Sequence, residues 1–204
     1  NAITEARRVA NPGCFATAIQ LALLPLAQQN LLQSDIHISA ITGSTGAGIL
    51  LNEATHFTWR NNNISAYKIF NHQHLGEIGE SILQLQKSFK HSINFIPYRG
   101  NFTRGILATL YIDFEGSLDV AKAIFNRFYV DAKFVFISEK NIDIKQIINT
   151  NKCLLYLEKH DNKLVIVSII DNLIKGASGQ AVQNMNLMFG FDETEGLKLK
   201  SVAY

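Results

Sequence analysis

Cys14 is the residue whose surroundings most suggest chemistry. It lies in NPGCFAT at residues 11–17, between a Pro-Gly turn and an apolar segment with helical character. At a helix N-terminus, unpaired N–H groups and the helix dipole lower the pKa of a cysteine and favour the nucleophilic thiolate. The same N–H groups could bind an oxyanion on a carbon bonded to the sulfur. Because free cysteines are often buried as small hydrophobes, the position alone leaves both interpretations open.

A second group of polar residues could exchange protons with this thiol. The segment NHQHLGE contains His72, His74 and Glu77 at the start of a predicted helix. His74 and Glu77 are three residues apart, so they are neighbours on a helix, and the carboxylate would orient the imidazole and support its cationic form. The alternative is a solvated helix start capped by Asn71. The sequence does not decide which histidine acts.

Three glycine-containing segments could bind anions or amides. GSTGAG, which includes Gly46, resembles a phosphate-binding loop but lacks the further features of a dinucleotide or P-loop motif. PYRGNFTRG places Arg99 and Arg104 at a strand start, where they could bind a carboxylate or phosphate in bidentate fashion. DNLIKGASGQ places Asn172 shortly before a helix. Turn formation, capping and ordinary surface charge are the alternative explanations.

Composition and charge exclude several classes of protein. The 204 residues are 47% hydrophobic and 18% charged with a formal net charge of +2, which is typical of one soluble domain spanning residues 1–204. Scattered basic residues predict no nucleic-acid partner. The sequence contains neither a membrane span nor the apolar core of a signal peptide, so we expect a cytoplasmic protein. Two cysteines without metal-ligand spacing predict neither disulfides nor a metal site.

Hydrophobic periodicity predicts the elements that position these residues. We expect helices over 15–29 (with Pro25 kinking or ending it), 75–90, 118–129 and 181–189, the last with an apolar face and a C-cap at Gly190, and strands over 36–42, 93–98, 104–114, 134–138, 153–159 and 163–171, the last two forming a hairpin. GSTGAG is expected to form a flexible loop. The pattern predicts an α+β fold, a mostly antiparallel sheet covered by helices, whose other face could pair with another subunit.

Five segments, taken together, resemble one enzyme family. VANPGCFATAIQLALLP, GSTGAG, HQHLGEI, RGILATLYI and NLIKGASGQAVQNMN are similar, in order, to segments of the N-acetyl-gamma-glutamyl-phosphate reductases of the semialdehyde dehydrogenase superfamily. The resemblance implies a fold like the C-terminal domain of glyceraldehyde-3-phosphate dehydrogenase and a homodimer or homotetramer. It also implies NADPH-dependent reduction of an N-acyl-glutamyl 5-phosphate to the 5-semialdehyde, a step of arginine biosynthesis.

The resemblance also implies roles for individual residues. Cys14 would attack the acyl phosphate and form a thioester, and His72 or His74 would be the acid/base group, supported by Glu77. Phosphate would leave, and hydride transfer to the thioester would release the aldehyde.

Weaker correspondences concern the ligands. Asn172 matches a contact to the nicotinamide carboxamide of NADP, Gly46 lies in a segment bordering the cofactor, and Arg104 lies near the substrate. Arg99 departs from the apolar residue expected there. An additional cation would suit an acyl group with its own carboxylate, such as N-succinyl in place of N-acetyl.

A further departure concerns the start of the chain. Full-length family members begin with a Rossmann domain, whereas NAITEARR resembles the segment directly before the cysteine motif. We therefore expect a catalytic and dimerisation fragment that binds NADP poorly and is inactive alone. The alternatives are an aspartate-semialdehyde dehydrogenase, which would place its base histidine where this chain has Ile106, and a non-catalytic dimerisation module.

Overall fold

The computed structural model describes residues 2–202 of the chain. Its strands are β1 (Ile36–Thr42), β2 (Ser65–Ala66), β3 (Ile93–Arg99), β4 (Ile106–Asp113), β5 (Val135–Ser138), β6 (Cys153–His160) and β7 (Lys163–Ile170). Within the described range they form one seven-stranded sheet in the order β2-β3-β1-β4-β7-β6-β5. Four of the six neighbouring pairs are antiparallel, whereas β1–β3 and β5–β6 are parallel. The predicted α+β class with a mostly antiparallel sheet is confirmed.

Helices pack against this sheet and against one another within the described residues. They are α1 (Ala2–Glu5), α2 (Cys14–Gln28), α3 (Phe57–Arg60), α4 (His74–Leu85), α5 (Leu118–Phe128) and α6 (Gly179–Met188), with 3-10 turns at Ser44–Ala47, Glu53–Thr55 and Ile144–Gln146 and a π-helical turn at Ile174–Ser178. α2 packs on β4, β6 and β7, α4 on β3, and α5 on β5 and β6. No helix within residues 2–202 is long and apolar enough to cross a membrane.

α2 is buried because it is apolar on nearly every side. Pro25 lies inside it, yet the helix continues to Gln28. Proline has no N–H, so the carbonyl of Leu21, one turn earlier, loses its helical partner. The Tyr129 hydroxyl donates to that carbonyl instead, at 2.6 Å, and burial raises the pKa of Tyr129 well above its ordinary value. The predicted helix is confirmed. Tyr129, the residue that follows α5, supplies the hydrogen bond that Pro25 removes from α2.

The two faces of β7 belong to different cores, as the alternation of side chains along a strand requires. Leu164 and Ile166 belong to the main core under the helices, whereas Ile169 belongs to a smaller core on the opposite face. That smaller core is completed by Ile142, Ile147 and Ile148. Elsewhere the opposite face is open: Tyr111 is 42% exposed and stacks on His37 with ring centroids 4.7 Å apart.

Two predicted helices need correction. α4 ends at Leu85 rather than near residue 90, because the buried side chain of Gln86 leaves the helix and bridges both backbone groups of Leu32, at 2.8 and 3.1 Å. In α6 the predicted apolar face is largely outside: Met185 is 44% exposed, whereas Gln180 and Asn186 are buried and hydrogen-bonded.

Two turn predictions have different outcomes. A glycine ends α6 as predicted, but the C-cap is Phe189, and Gly190 follows it with a φ of +71°. The segment predicted as a flexible loop, residues 43–48, contains the 3-10 turn Ser44–Ala47. Its backbone is fixed, because the N–H groups of Ser44 and Thr45 donate to the carbonyls of Phe102 and Thr103 at 2.8 and 3.2 Å.

Candidate active site

Cys14 is the first residue of α2, and Gly13 is its N-cap residue. The Gly13 carbonyl accepts the N–H of Thr17 at 2.8 Å, which is the first hydrogen bond of the helix. Because glycine offers no capping side chain, the first N–H groups of the helix are left for other partners. The backbone N–H groups of Cys14 and Phe15 favour the thiolate and act to lower the pKa of Cys14.

Burial nevertheless outweighs these donors. The thiol of Cys14 is half-buried in the cleft, and desolvation raises its pKa above the ordinary value, with a smaller contribution of the same sign from the charge of Glu77. The sequence predicted a lowered pKa, and this prediction is wrong for the structure of residues 2–202. The resting sulfur therefore carries its proton, and a nucleophilic attack requires a base.

His74 is the cleft histidine whose ring lies beside the residue that precedes Cys14. Its ring lies against the α-carbon of Gly13, where a Cβ would approach Cε1 to 2.5 Å and Cδ2 to 2.6 Å. Only glycine permits this contact. Burial lowers the pKa of His74, although Glu77 opposes the shift, so the imidazole is neutral and able to accept a proton. Its Nδ1 is buried without a hydrogen-bond partner among the described residues.

Glu77 connects the two helix starts. One carboxylate oxygen accepts the N–H of Gly13 at 2.8 Å, and the other lies 4.0 Å from Nε2 of His74. The amide of Gln20 donates to the Glu77 carbonyl at 2.9 Å and to the Ser81 hydroxyl at 2.9 Å. These contacts hold α2 and α4 in register, so the thiol and the imidazole keep a fixed relation.

His72 lies in the same cleft but deeper. Its ring is buried, with its centroid 4.6 Å from that of His74 and 5.5 Å from that of Phe15. Burial, followed by the neighbouring charges of His74, Lys68 and Arg99, lowers its pKa to about 4. Its Nδ1 accepts the backbone N–H of His74 at 3.2 Å. His72 is therefore neutral and engaged in holding the start of α4.

Arg99 lines the cleft with Cys14. Its guanidinium carbon lies 4.8 Å from the ring centroid of Tyr67, and its Nε is buried without a partner in the described residues. None of the ion pairs within residues 2–202 includes it. Its backbone is held by Arg60, whose Nη1 donates to the Arg99 carbonyl at 2.7 Å. An arginine without an acidic partner in a cleft is suited to bind an anionic ligand.

Gly46 and Asn172 also line the cleft, and they form what is called here the Gly46 wall. The Asn172 side chain accepts the N–H of Gly105 at 2.7 Å and donates to the Thr45 hydroxyl at 3.1 Å. A Cβ on Gly46 would lie 3.2 Å from Oγ1 of Thr42, which is buried and unpaired among the described residues. Glycine at position 46 therefore lets this segment pack closely on the buried Thr42.

Arg104 is a predicted site residue that does not line the cleft. Its guanidinium pairs with the buried carboxylate of Asp171 at 2.9 Å, and it borders a separate surface pocket with Ile144 and Ile148. Six other predicted residues line one open cleft of about 690 Å³, a size that suits a small-molecule ligand: Cys14, Gly46, His72, His74, Arg99 and Asn172. Glu77 does not line it and is connected to it through Gly13 and His74.

This cleft has counterparts in known proteins. The sequence profile described as "Semialdehyde dehydrogenase, dimerisation domain" matches residues 14–172, which include Cys14, both cleft histidines and Asn172. The chain belongs to this family.

Two similar relatives carry the same enzyme name. The chain is 60% identical over 202 residues to the N-acetyl-gamma-glutamyl-phosphate reductase of Parabacteroides distasonis, covering 99% of this chain and 63% of the relative. It is 62% identical over 204 residues to the enzyme of the same name from Azobacteroides pseudotrichonymphae, covering 99% and 62%. This dimerisation domain therefore spans less than two thirds of the length of these relatives.

Solved structures show the same fold at low identity. A probable aspartate-semialdehyde dehydrogenase from Pseudomonas aeruginosa superimposes with a TM-score of 0.68 at 14% identity, over 93% of this chain and 66% of that one. Aspartate semialdehyde dehydrogenase II from Vibrio cholerae gives 0.66 at 14% identity, over 89% and 62%. At such identity the likeness establishes the fold of the domain.

Sequence reasoning missed three residues of the domain's site. Tyr67, which supports Arg99, and Thr42, which faces Gly46, carried no recognisable signal. Asp171 did carry one, since a carboxylate placed directly after an apolar strand and before Asn172 indicates a buried, hydrogen-bonded acid. Its partners lie 22 and 67 residues away in the chain, at Asn149 and Arg104.

Proposed function

We propose that this chain is the catalytic and dimerisation part of an NADPH-dependent N-acyl-glutamyl-phosphate reductase. The reaction converts an N-acyl-glutamyl 5-phosphate into the 5-semialdehyde and phosphate, a step of arginine biosynthesis. The observation that carries the proposal is the contact of the His74 ring with Gly13, which brings a neutral imidazole beside the residue preceding Cys14. The names of relatives at about 60% identity support the substrate.

In the first half-reaction Cys14 is the nucleophile. His74 accepts the thiol proton as the sulfur attacks the acyl carbon of the mixed anhydride, and the carbon–oxygen bond to phosphate breaks. The products are a thioester on Cys14, inorganic phosphate and a protonated His74. The carboxylate of Glu77 stabilises the imidazolium while it holds the proton.

In the second half-reaction the same groups act in reverse. Reduced nicotinamide, when bound, supplies the hydride that turns the thioester into the aldehyde. Cys14 leaves as a thiolate, and His74 returns its proton to the sulfur. The N–H groups of Cys14 and Phe15 stabilise this thiolate, and the site returns to its starting protonation.

The residues of the Gly46 wall fit the nicotinamide end of NADP. Gly46 and Asn172 line the cleft, and the absence of a Cβ at Gly46 lets its segment pack closely on Thr42 and the Asn172 amide. Asn172 lines the same cleft, and among the described residues its amide donates one hydrogen to Thr45, which leaves the second for a carboxamide oxygen. The rest of the cofactor is proposed to bind the part of the relatives' length that this chain does not match.

Arg99 is proposed to bind an anionic group of the substrate, and Arg104 is proposed to act indirectly through its neighbour Gly105. The open sheet face around Tyr111 and His37 is proposed as the surface where a second copy packs in a homodimer or homotetramer. Exposed aromatic residues on a sheet are typical of such interfaces.

Reduction by the full-length enzyme tests the proposal. Wild-type protein should oxidise NADPH when given N-acyl-glutamyl phosphate, while Cys14→Ser should lose at least about a thousandfold in kcat. Cys153→Ala is the matched control, because Cys153 is fully buried in β6 and burial raises its pKa to about 11. Equal activity of Cys14→Ser and wild type would reject the mechanism. Activity with aspartyl phosphate and none with N-acyl-glutamyl phosphate would reject the proposed substrate.

The 204-residue fragment tests the role of the additional portion. NADPH titrated into residues 1–204 alone should show no binding at micromolar concentrations, because these residues are proposed to contact only the nicotinamide end of the cofactor. Micromolar affinity would show instead that these residues alone hold the cofactor.

A further inference from the structure

Asp171 has no place in the reaction described above, although it is the most heavily hydrogen-bonded carboxylate near the cleft. Its side chain is completely buried at the end of β7. One oxygen accepts the N–H groups of Leu173 and Ile174 at 2.8 and 3.0 Å. The other accepts the N–H of Asn149 at 2.7 Å and pairs with Arg104 at 2.9 Å. Burying a charged carboxylate costs desolvation free energy, which is offset only when hydrogen-bond donors and a counter-charge are held in place around it.

The carboxylate organises the turn that follows β7. By accepting the N–H groups of Leu173 and Ile174 it starts the π-helical turn Ile174–Ser178, a rare element that occurs often at functional sites. The Asp171 carbonyl accepts the N–H of Gly176 at 2.9 Å. Gly176 in turn packs on Cys14 so closely that a Cβ there would lie 2.7 Å from the cysteine Cβ.

Through Arg104, the ion pair with Asp171 is connected to the Gly46 wall of the cleft. The next residue, Gly105, has a φ of +115° and donates its N–H to Oδ1 of Asn172. A backbone N–H can only donate, so this bond decides which end of the Asn172 amide is oxygen. The amide nitrogen is thereby directed to Thr45, within the segment that contains Gly46.

We propose that Asp171 is a positioning residue. It fixes the backbone and side chains of the part of the cleft that carries Gly46 and Asn172, which is proposed to hold the nicotinamide. Its ion pair holds the turn at Arg104 and Gly105, this turn fixes the orientation of the Asn172 amide, and Asn172 fixes the segment of Thr45. Arg104 therefore serves the reaction as the partner of Asp171 rather than as a substrate ligand. This inference rests on the proposed reductase function for its kinetic consequence, but its structural consequence is independent of it.

The test compares Asp171→Asn, Arg104→Gln and the double variant in the full-length enzyme. The amide introduced by Asp171→Asn keeps an acceptor oxygen for the N–H groups of Leu173 and Ile174, but its NH2 faces the N–H of Asn149 and the guanidinium of Arg104. Arg104→Gln leaves the carboxylate and its backbone partners in place, so it is the variant that decides the test if Asp171→Asn does not fold. Each single variant should lower kcat for reduction at least about tenfold, while phosphate release by Cys14 without cofactor stays within about threefold. The double variant should be no slower than the slower single variant, because both remove one interaction.

Hydrogen exchange supplies a readout that needs no activity. In both single variants the amides of Gly43, Ser44 and Thr45 should lose at least about tenfold in protection, while the amides of α4 stay unchanged. Asp113→Asn is the matched control: this carboxylate pairs with Lys163 on the surface, and its loss should alter neither segment. Unchanged protection at residues 43–45, or multiplicative losses in the double variant, would overturn the inference. An inactive wild-type enzyme would instead reject the proposed function and leave the exchange result valid.

Discussion

The imidazole of His74 occupies the space that a side chain of Gly13 would fill, with Cε1 and Cδ2 only 2.5 and 2.6 Å from an ideal Cβ position. The glycine before Cys14 is thus required by the approach of the His74 ring, in addition to its part in the turn. The N–H of the same glycine donates to Glu77 at 2.8 Å, so the imidazole, the carboxylate and the thiol are arranged around one residue.

Gly13→Ala should therefore separate the base from the thiol. We expect kcat to fall by about a hundredfold or more and the free energy of unfolding to fall by about 1–3 kcal/mol, as for overpacked cores. Gly79→Ala in α4 is the control, since a Cβ there meets nothing within 4 Å, and alanine should stabilise the helix by up to about 1 kcal/mol. Full activity of Gly13→Ala would show that His74 need not be this close.

The pKa of His72 should make folding stability depend on pH. The folded protein holds this pKa at about 4, below the unfolded value of about 6.5, so the unfolded state binds more protons between these pH values. The stabilisation is complete above about pH 6.5 and is lost as pH falls toward 4, by about 3 kcal/mol in total. The lowered pKa of His74 acts in the same direction.

Urea unfolding of wild type and His72→Asn at several pH values measures this effect. The variant should be less stable at about pH 7.5 but should show a flatter decline between about pH 6.5 and 4. His91→Asn, at an exposed position, should keep the wild-type slope. A slope in His72→Asn as steep as that of wild type would contradict the assignment.

Glu77→Gln should change thiol reactivity and turnover in opposite directions. The charge of Glu77 raises the pKa of Cys14, so its removal should shift the pH profile of iodoacetamide alkylation to lower pH. Turnover should fall about tenfold or more, because the imidazolium loses its carboxylate. The buried Cys153 should stay unmodified throughout. Faster turnover in this variant, or an unshifted alkylation profile, would contradict the arrangement.

Arg99→Leu should raise KM for the acyl phosphate more than it lowers kcat. A charged hydrogen bond contributes about 1.5–3 kcal/mol, so KM should rise about tenfold or more. If Arg99 binds a carboxylate on the acyl group, wild type should prefer the N-succinyl over the N-acetyl substrate, and the variant should lose that preference. Arg127→Leu, exposed on α5, should change neither constant. Unchanged kinetics for both substrates in Arg99→Leu would remove it from the site.

The sequence predicted elements well where side-chain periodicity reports burial. β4 and β7 alternate cleanly and appear near their predicted positions. α6 shows why the rule fails elsewhere: Asn186 is buried because its amide donates to the carbonyls of Glu193 and Glu195, at 3.3 and 2.9 Å, a demand that only the folded chain creates. Periodicity therefore assigned the wrong face to the core.

The sequence predicted which kinds of residue form the site, but not which of them contact each other across long separations in the chain. Local spacing placed His74 beside Glu77, and the structure retains that relation. The separation of Arg104 from Arg99 depends on Asp171, which lies 67 residues further along from Arg104, so no local pattern could predict it. The pKa of Cys14 was predicted in the wrong direction because the helix terminus is visible in the sequence, whereas burial in the cleft is not.

The central claim is that Cys14 becomes acylated with release of phosphate. Full-length enzyme mixed with N-acyl-glutamyl phosphate in the absence of cofactor, then acid-quenched and digested, allows the peptide containing residues 9–25 to be weighed. The account predicts one acyl-glutamyl group on Cys14 for each phosphate released, and neither product in Cys14→Ser. Phosphate release that persists in Cys14→Ser, or an acyl group found on another residue, would contradict it.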